Sequence, residues 1–277
     1  MLWEVITKSA SLGLVLLTVS AHAAPSGPEG LDTKNASANQ GTFSHDDWTA
    51  VLSKYVDDVG NVDYVALKKD RKVLDRYLDS IRSVSPESRP DLFPTRHHAL
   101  AYYLNAYNAH TFDGVLEGGG TQSSVWPTLW HGYKFFVGRK IELGGKRTNL
   151  KALEDKKIRE AFEDPRIHAA LVCASISCPR LPQEAFEPDT LDAQLDAVTT
   201  EFSTDTKHVR VEHDDKTVHL SKIYDWYADD YLDYEKARGQ SKPKLVDYIN
   251  RYRAADDQIP RDYKVVLIPY DKSLNAQ

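Results

Sequence analysis

Apolar residues recur along this chain at two spacings, and the alternation between them outlines its elements. Trp48, Val51, Leu52 and Tyr55 fall on one face of a helix that opens at Ser44, with Asp46 and Asp47 in its first turn. A polar break at Asp57 to Asn61 leads to VDYVAL and then to a second amphipathic helix carrying Leu74, Leu78 and Ile81. Pro86, Pro90 and Pro94 punctuate the next connection. After it, TRHHALAYYLNAYNAHTFDGVL predicts a long helix that stops at Gly118-Gly119-Gly120.

Beyond the glycines, YKFFVG and KIEL predict a hairpin, and NLKALEDKKIREAF predicts a helix with Asn149 near its cap. The run IHAALVC is short, apolar and flanked by breakers, which predicts a buried strand. DTLDAQLDAVTTEF reads as a helix, and HVRVEHDDKTVHL alternates with period two around Asp214-Asp215, a second hairpin. Two further helices, SKIYDWYADDYL and the segment around KLVDYINRY, lead to a last strand, YKVVLIPY. Helices outnumber strands in mixed order, so residues 42–277 read as one helix-rich α+β domain packed on a small, mostly antiparallel sheet.

The first residues change the setting in which that domain is read. Residues 1–23 have a polar start with Lys8, an apolar run from Ala10 to Val19 and Ala21-His22-Ala23 before a cleavage site. This is the pattern of a secretory signal peptide, shorter than a membrane span. Residues 24–41 are small and polar, a flexible leader. The expected location is periplasmic or secreted, with no transmembrane span in the mature chain. With 35 basic and 41 acidic residues the net charge is −6, which excludes the concentrated basic surface that nucleic acid requires.

Export matters because the chain has only two cysteines, and DPRIHAALVCASISCPRLP holds both, Cys173 and Cys178, together with His168. Three readings stay open. A local disulfide needs a turn at Ala174 to Ile176 that brings the Cα atoms within about 4.4–6.8 Å. A nucleophilic Cys173 needs an imidazole beside it and a third group to orient that base. A zinc site would combine His168, Cys173 and Cys178 with one more ligand.

His168 is the nearest imidazole in sequence, yet on a strand it and Cys173 point to opposite faces, and on a helix they sit about 140° apart. A base would then come from a bend in the chain or from elsewhere, with His98, His110 and His131 the obvious donors. Asn105 and Asn108, three apart on the long helix, either clamp loop backbone or orient a catalytic histidine and an oxyanion. The candidate catalytic set is Cys173, His168 and Asn105, and the candidate binding set is Asn108, Cys178 and His98. No cofactor is implied and no metal is assigned: the spacing of His168, Cys173 and Cys178 matches no common zinc pattern, Gly118-Gly119-Gly120 is not a phosphate loop, and no HExxH, GxSxG or EF-hand pattern occurs. Asp225, Trp226, Tyr227, Asp229 and Asp230 form an acidic aromatic face, with the chemistry to bind a sugar or cation but read in preference as a solvated surface with Trp226 and Tyr227 partly inward.

Four motifs taken in order, YLNAYNAHTF, NLKALEDKKIREAFEDPRIHAALVCASISCPRL, LSKIYDWYADDY and YDKSLN, resemble the family called domain of unknown function 547, from about Trp48 to Asn275. In that family the last motif is usually YDWSLN; here Lys272 stands in the tryptophan's place and alters one terminal packing contact. The resemblance implies no settled activity, and a distant likeness to papain-like or transglutaminase-like cysteine enzymes is analogy only. Two functions follow from these residues. One is a cysteine-dependent hydrolase or acyl transferase acting on an amide or thioester of a small molecule or peptide. The other is a non-catalytic envelope domain that binds or scaffolds a protein partner.

Overall fold

The structure, a computed structural model, describes residues 41–277; the expected signal peptide and the leader up to residue 40 lie outside them. Three helices come first, α1 (Asp46–Tyr55), α2 (Tyr64–Lys69) and α3 (Lys72–Ser83). Ser44 Oγ accepts the Asp46 N–H at 3.1 Å just ahead of α1, whose buried face is Trp48, Val51, Leu52 and Tyr55. VDYVAL enters α2, where Asp63 caps by accepting the Ala66 N–H at 2.8 Å.

The centre of the molecule is α4 (Arg96–Glu117), in which every residue from Leu100 to Phe112 is buried. A helix without a solvent face must satisfy its polar side chains inside the protein. Thr95 caps its start and Gly119 and Gly120, both at positive φ, turn the chain away at its end.

The next segment departs from the expected hairpin. α5 (Leu129–Tyr133) continues into a π turn, Lys134–Gly138, so YKFFVG is helical. Adjacent Phe135 and Phe136 explain it, because Phe135 packs against Gly114 of α4 while Phe136 packs beside Trp126. A strand would send these two side chains to opposite faces. The hairpin instead joins β1 (Ile141–Leu143) to β2 (Lys146–Thr148) through Gly144 and Gly145, both at positive φ, as a tight antiparallel turn requires.

A helical rod, α6 (residues 150–162), follows, capped by Asn149 and containing a π stretch, Leu153–Arg159. IHAALVC is not a strand: Ile167–Ala170 form one helical turn, α7, and the chain becomes extended only at Leu171. Asp164 accepts the Arg166 N–H at 3.0 Å and starts that turn behind Pro165. Beyond it the Val172 N–H donates to Asn108 of α4, not to a neighbouring strand.

α8 (Leu191–Thr204) leads to the second sheet, β3 (Val209–Glu212), β4 (Thr217–Ser221) and, after α9 (Lys222–Trp226), α10 (Ala228–Ala237) and α11 (Leu245–Ile249), β5 (Lys264–Ile268). β3 and β4 pair antiparallel with Val209 opposite Leu220, and β5 joins β4 in parallel with Leu267 opposite Leu220. The fold is α+β, and one cluster of buried apolar residues runs from Trp48 to Leu274. Among the described residues no helix is long and apolar enough to cross a membrane.

Candidate functional site: a thiol cavity

Asn108 in α4 determines where the cysteine segment lies. Its Nδ2 donates to the Ala170 carbonyl at 3.0 Å, and its Oδ1 accepts the Val172 N–H at 3.0 Å. One buried amide thereby takes the place of a strand partner for the chain leaving α7. Ala174, at φ 61, then reverses the backbone, and Cys178 N–H closes the turn on the Ser175 carbonyl at 3.0 Å. This left-handed geometry at a residue with a side chain costs on the order of 1–2 kcal/mol. It brings the two sulfurs face to face.

The cysteines are not bridged. Both are free, with Cys173 partly exposed, Cys178 buried and their Sγ atoms 2.9 Å apart. The disulfide expected as one reading is therefore replaced by a dithiol pair. Tyr270 Oη lies 3.3 Å from each sulfur, and Cys178 Sγ also accepts the Cys173 N–H at 3.2 Å. The hydrogen bond that Cys173 gives Cys178, with burial added, pushes the Cys173 thiol well above its ordinary range. Burial also pushes Cys178 up, but hydrogen bonds from Cys173 and Tyr270 outweigh it and bring Cys178 down to about 7. The pair holds one proton readily and a second negative charge with difficulty, and the first thiolate rests on Cys178.

His168 lines the same cavity. Because α7 is helical and ends at Leu171, where the chain turns extended, the parity that separated His168 from Cys173 within one regular element does not apply. Its Nε2 lies 2.7 Å from Asp230 Oδ2, and its ring stacks on Tyr227 with centroids 3.8 Å apart. Asp230 is held in turn by Arg159, Nε to Oδ2 at 2.8 Å and Nη2 to Oδ1 at 2.9 Å. Burial raises the Asp230 pKa, but the bonds from His168 and Arg159 prevail and hold it well below the usual carboxylate range. Burial keeps His168 below its ordinary value, against the pull of Asp230. A carboxylate only accepts, so the neutral imidazole carries its proton on Nε2 and presents Nδ1 as the basic nitrogen.

A third group was absent from the candidate set. Glu154 of α6 is buried, with Tyr227 Oη on one carboxyl oxygen and Tyr107 Oη 3.3 Å from the other. Burial pushes its pKa up, which favours the neutral acid. Trp126, Trp226 and Tyr270 pack around the thiols, Trp126 edge to face against Trp226 at 6.0 Å and Tyr270 tilted against Trp226 at 4.7 Å. Within them lies a cavity of about 30 Å³ that also touches Leu171 and Ile223. That volume holds one or two water molecules.

The remaining candidates lie elsewhere. Asn105 repeats the Asn108 arrangement on another loop, with Nδ2 to the Phe186 carbonyl at 2.8 Å and the Phe186 N–H to Oδ1 at 3.0 Å. His98 bonds Thr95 at the start of α4, about 15 Å along the helix axis from Asn108. His131 bonds Thr128 on the surface, and His110 lies beside Arg139, which donates to its carbonyl at 3.1 Å. For the zinc alternative, among the described residues no group of three or more His, Cys, Asp or Glu is placed to hold a metal ion.

Sequence reasoning passed over Asp230, Tyr227, Glu154 and Tyr270 as site residues. Asp230 and Tyr227 stood in the acidic aromatic face of LSKIYDWYADDY, and Tyr270 opens YDKSLN, so the motifs themselves were the available signal. Lys272, in the place of the family's tryptophan, sets its Nζ 4.5 Å above the Trp126 ring, a cation–π contact on the cavity wall.

Fold and site together define a helix-rich α+β protein in which a dithiol pair and an aspartate-held imidazole line one cavity. Residues 92–202 match the model of a family described as Protein of unknown function, DUF547, so the resemblance drawn from the motifs holds over that segment. The match covers α4 and the cysteine segment and ends before LSKIYDWYADDY and YDKSLN. No curated protein and no solved structure matches the chain.

Proposed function

We propose that this protein is a thiol-dependent acyl-transfer enzyme, a hydrolase or acyltransferase for small thioesters or amides, with Cys173 as nucleophile. The observation that carries the reading is the convergence of two thiols and an Asp230-held imidazole on one cavity. Cys173 is the more exposed residue, and Cys178, whose thiol is brought down to about 7, lies 2.9 Å away as its immediate proton acceptor. As Cys173 adds to the carbonyl its proton passes to Cys178, which returns it to the leaving group when the tetrahedral adduct collapses. Water then attacks the acyl-thioester while His168 Nδ1 takes its proton, and Asp230 stabilises the imidazolium that forms. Cys173 recovers its proton from His168 as the acid departs. The cavity restricts the acyl group to a small one.

Incubation with phenyl thioacetate, followed by intact-protein mass spectrometry, tests the reading. An acetyl adduct on Cys173 is expected, absent in Cys173→Ser. Asp230→Asn is expected to leave acylation in place and slow deacylation by about 10²-fold or more, the usual scale of lost acid–base assistance. Turnover by Cys173→Ser at the wild-type rate overturns it. A non-catalytic binding domain is the second reading, favoured by the amides of Asn105 and Asn108 being spent on loop backbone. It expects no acyl adduct at all.

A further inference from the structure

The two sulfurs stand in an arrangement that acyl transfer does not require. A nucleophile needs one thiol, yet the fold spends a left-handed Ala174, a tight turn and the Asn108 clamp on holding a second sulfur in contact with the first. Their separation of 2.9 Å exceeds the length of a disulfide bond by less than about 1 Å, so bonding asks for little more than side-chain adjustment. The polar donors around them, Tyr270 Oη and the Cys173 N–H, stabilise a thiolate on Cys178 without blocking the line between the sulfurs. Cys173 is the partly exposed member, open to a reagent, and Cys178 is buried behind it.

We propose that Cys173 and Cys178 form a thiol–disulfide exchange site for low-molecular-weight disulfides, with Cys173 the attacking sulfur and Cys178 the resolving one. Above pH about 7 the pair carries one proton between its two sulfurs, which stand 2.9 Å apart. Cys173 passes that proton to Cys178, attacks one sulfur of the external disulfide RS–SR, and breaks the S–S bond, expelling RS⁻. The proton on Cys178 goes to that thiolate and gives RSH. Cys178, again a thiolate, attacks Cys173 in the mixed disulfide and expels the second RS⁻, leaving a Cys173–Cys178 bond. The external disulfide is reduced by two electrons and the protein pair is oxidised by two, with one RSH and one RS⁻ released. Resolution is fast because the second sulfur is already in contact when the mixed disulfide forms. This chemistry uses the same Cys173 as the acyl-transfer reading and does not depend on it. If both hold, oxidation removes the nucleophile.

The experiment uses the full reduced chain and oxidised glutathione. After an acid quench, thiols are counted and the intact mass is measured. The wild type is expected to go from two titratable thiols to none, to lose two hydrogens, to retain no glutathione, and to recover both thiols with dithiothreitol. Cys178→Ser is expected to retain one glutathione, on Cys173, and Cys173→Ser to react at least about ten times more slowly because its thiol is buried. The wild-type measurement needs no variant, so a variant that fails to fold does not remove the test. A wild type that keeps both thiols while its urea-unfolded form loses them overturns the proposal. So does a wild type that accumulates the glutathione adduct without resolving it. The thioacetate adduct is scored separately, so failure of exchange and failure of acyl transfer are told apart.

Discussion

Asn105 and Asn108 stand three apart on α4 and act alike on two loops, each amide donating to one buried carbonyl and accepting from one buried N–H. An amide is suited to this because its donor and acceptor match a backbone pair, and truncating it leaves two buried backbone groups unpaired at about 1–3 kcal/mol each. Asn105→Ala and Asn108→Ala are each expected to lower unfolding free energy by about 3 kcal/mol on that basis, read from urea denaturation. The two should part company at the thiols. Asn108 holds the chain entering Cys173, so its loss should abolish the rapid loss of both thiols to glutathione, whereas Asn105→Ala should leave that rate within about two-fold of wild type. Equal thiol kinetics in the two variants would show that Asn108 has no part in placing the site. The amides were legible as buried hydrogen-bonding groups because polar residues on a helix without a solvent face must pair. Which loop each one meets was not legible, since the partners lie 62 and 81 residues away in sequence.

At the scale of elements, a strap formed by residues 270–277 closes the site. Ser273 and Asp271 carbonyls accept from Ile176 and Ser177, Leu274 N–H donates to Ser123, and Asn275 joins the turn at Ala174 to the chain at Val62. Tyr270 contributes the hydroxyl that bonds both sulfurs and Lys272 lies over Trp126. A chain shortened to residue 269 is expected to melt lower and to alkylate at Cys173 at least about ten times faster with iodoacetamide, because the thiols lose their cover. Alkylation at the wild-type rate in a folded, shortened chain would show that Tyr270 does not shield them. The helices α1, α3, α4 and α8 and the β3–β4 hairpin were readable from periodicity because each buries one face, or all faces, over several turns. The misread segments share a different physics. YKFFVG is a π turn because two neighbouring phenylalanines both face inward, and IHAALVC is half helix and half extended because a side chain supplies its backbone partners. The pairing of His168 with Asp230 was hidden for the same reason: it depends on α7 and α10 meeting, and the acid looked like any solvated residue of an acidic helix.

At the scale of the molecule, four histidines among the described residues are buried, and their burial sets how stability responds to acid. His45, His110, His168 and His208 are all buried, and burial lowers each from the ordinary value, His45 to about 3, His110 to about 4 and His208 to about 3. In the unfolded chain these rings take protons at about 6.5, so below that pH the unfolded state binds protons that the folded state refuses. Their contribution is complete above about 6.5 and is lost as pH falls toward the folded values, each ring by up to about 1.4 kcal/mol per pH unit. Asp230, held low by His168 and Arg159, adds to the loss in the same direction once the pH passes below about 4. Glu154 and Glu187 oppose it, because burial raises them above 4.5 and the folded chain binds their protons first. The histidines act over the wider range, so the unfolding free energy should fall steeply between pH 6 and 5 at constant m-value, by several kcal/mol per unit, and more gently from pH 8 to 7, where Cys178, lowered to about 7 in the folded chain, contributes. His208→Phe keeps a ring against Phe202 and should reduce that slope by about one proton's worth, while a slope unchanged from wild type would remove His208 from the account. The site shares this window. Cys178 ionises at about 7 while the four buried imidazoles are neutral, so thiol reactivity should rise through pH 7 where the fold has its full histidine contribution, and acid should silence the site before it unfolds the chain.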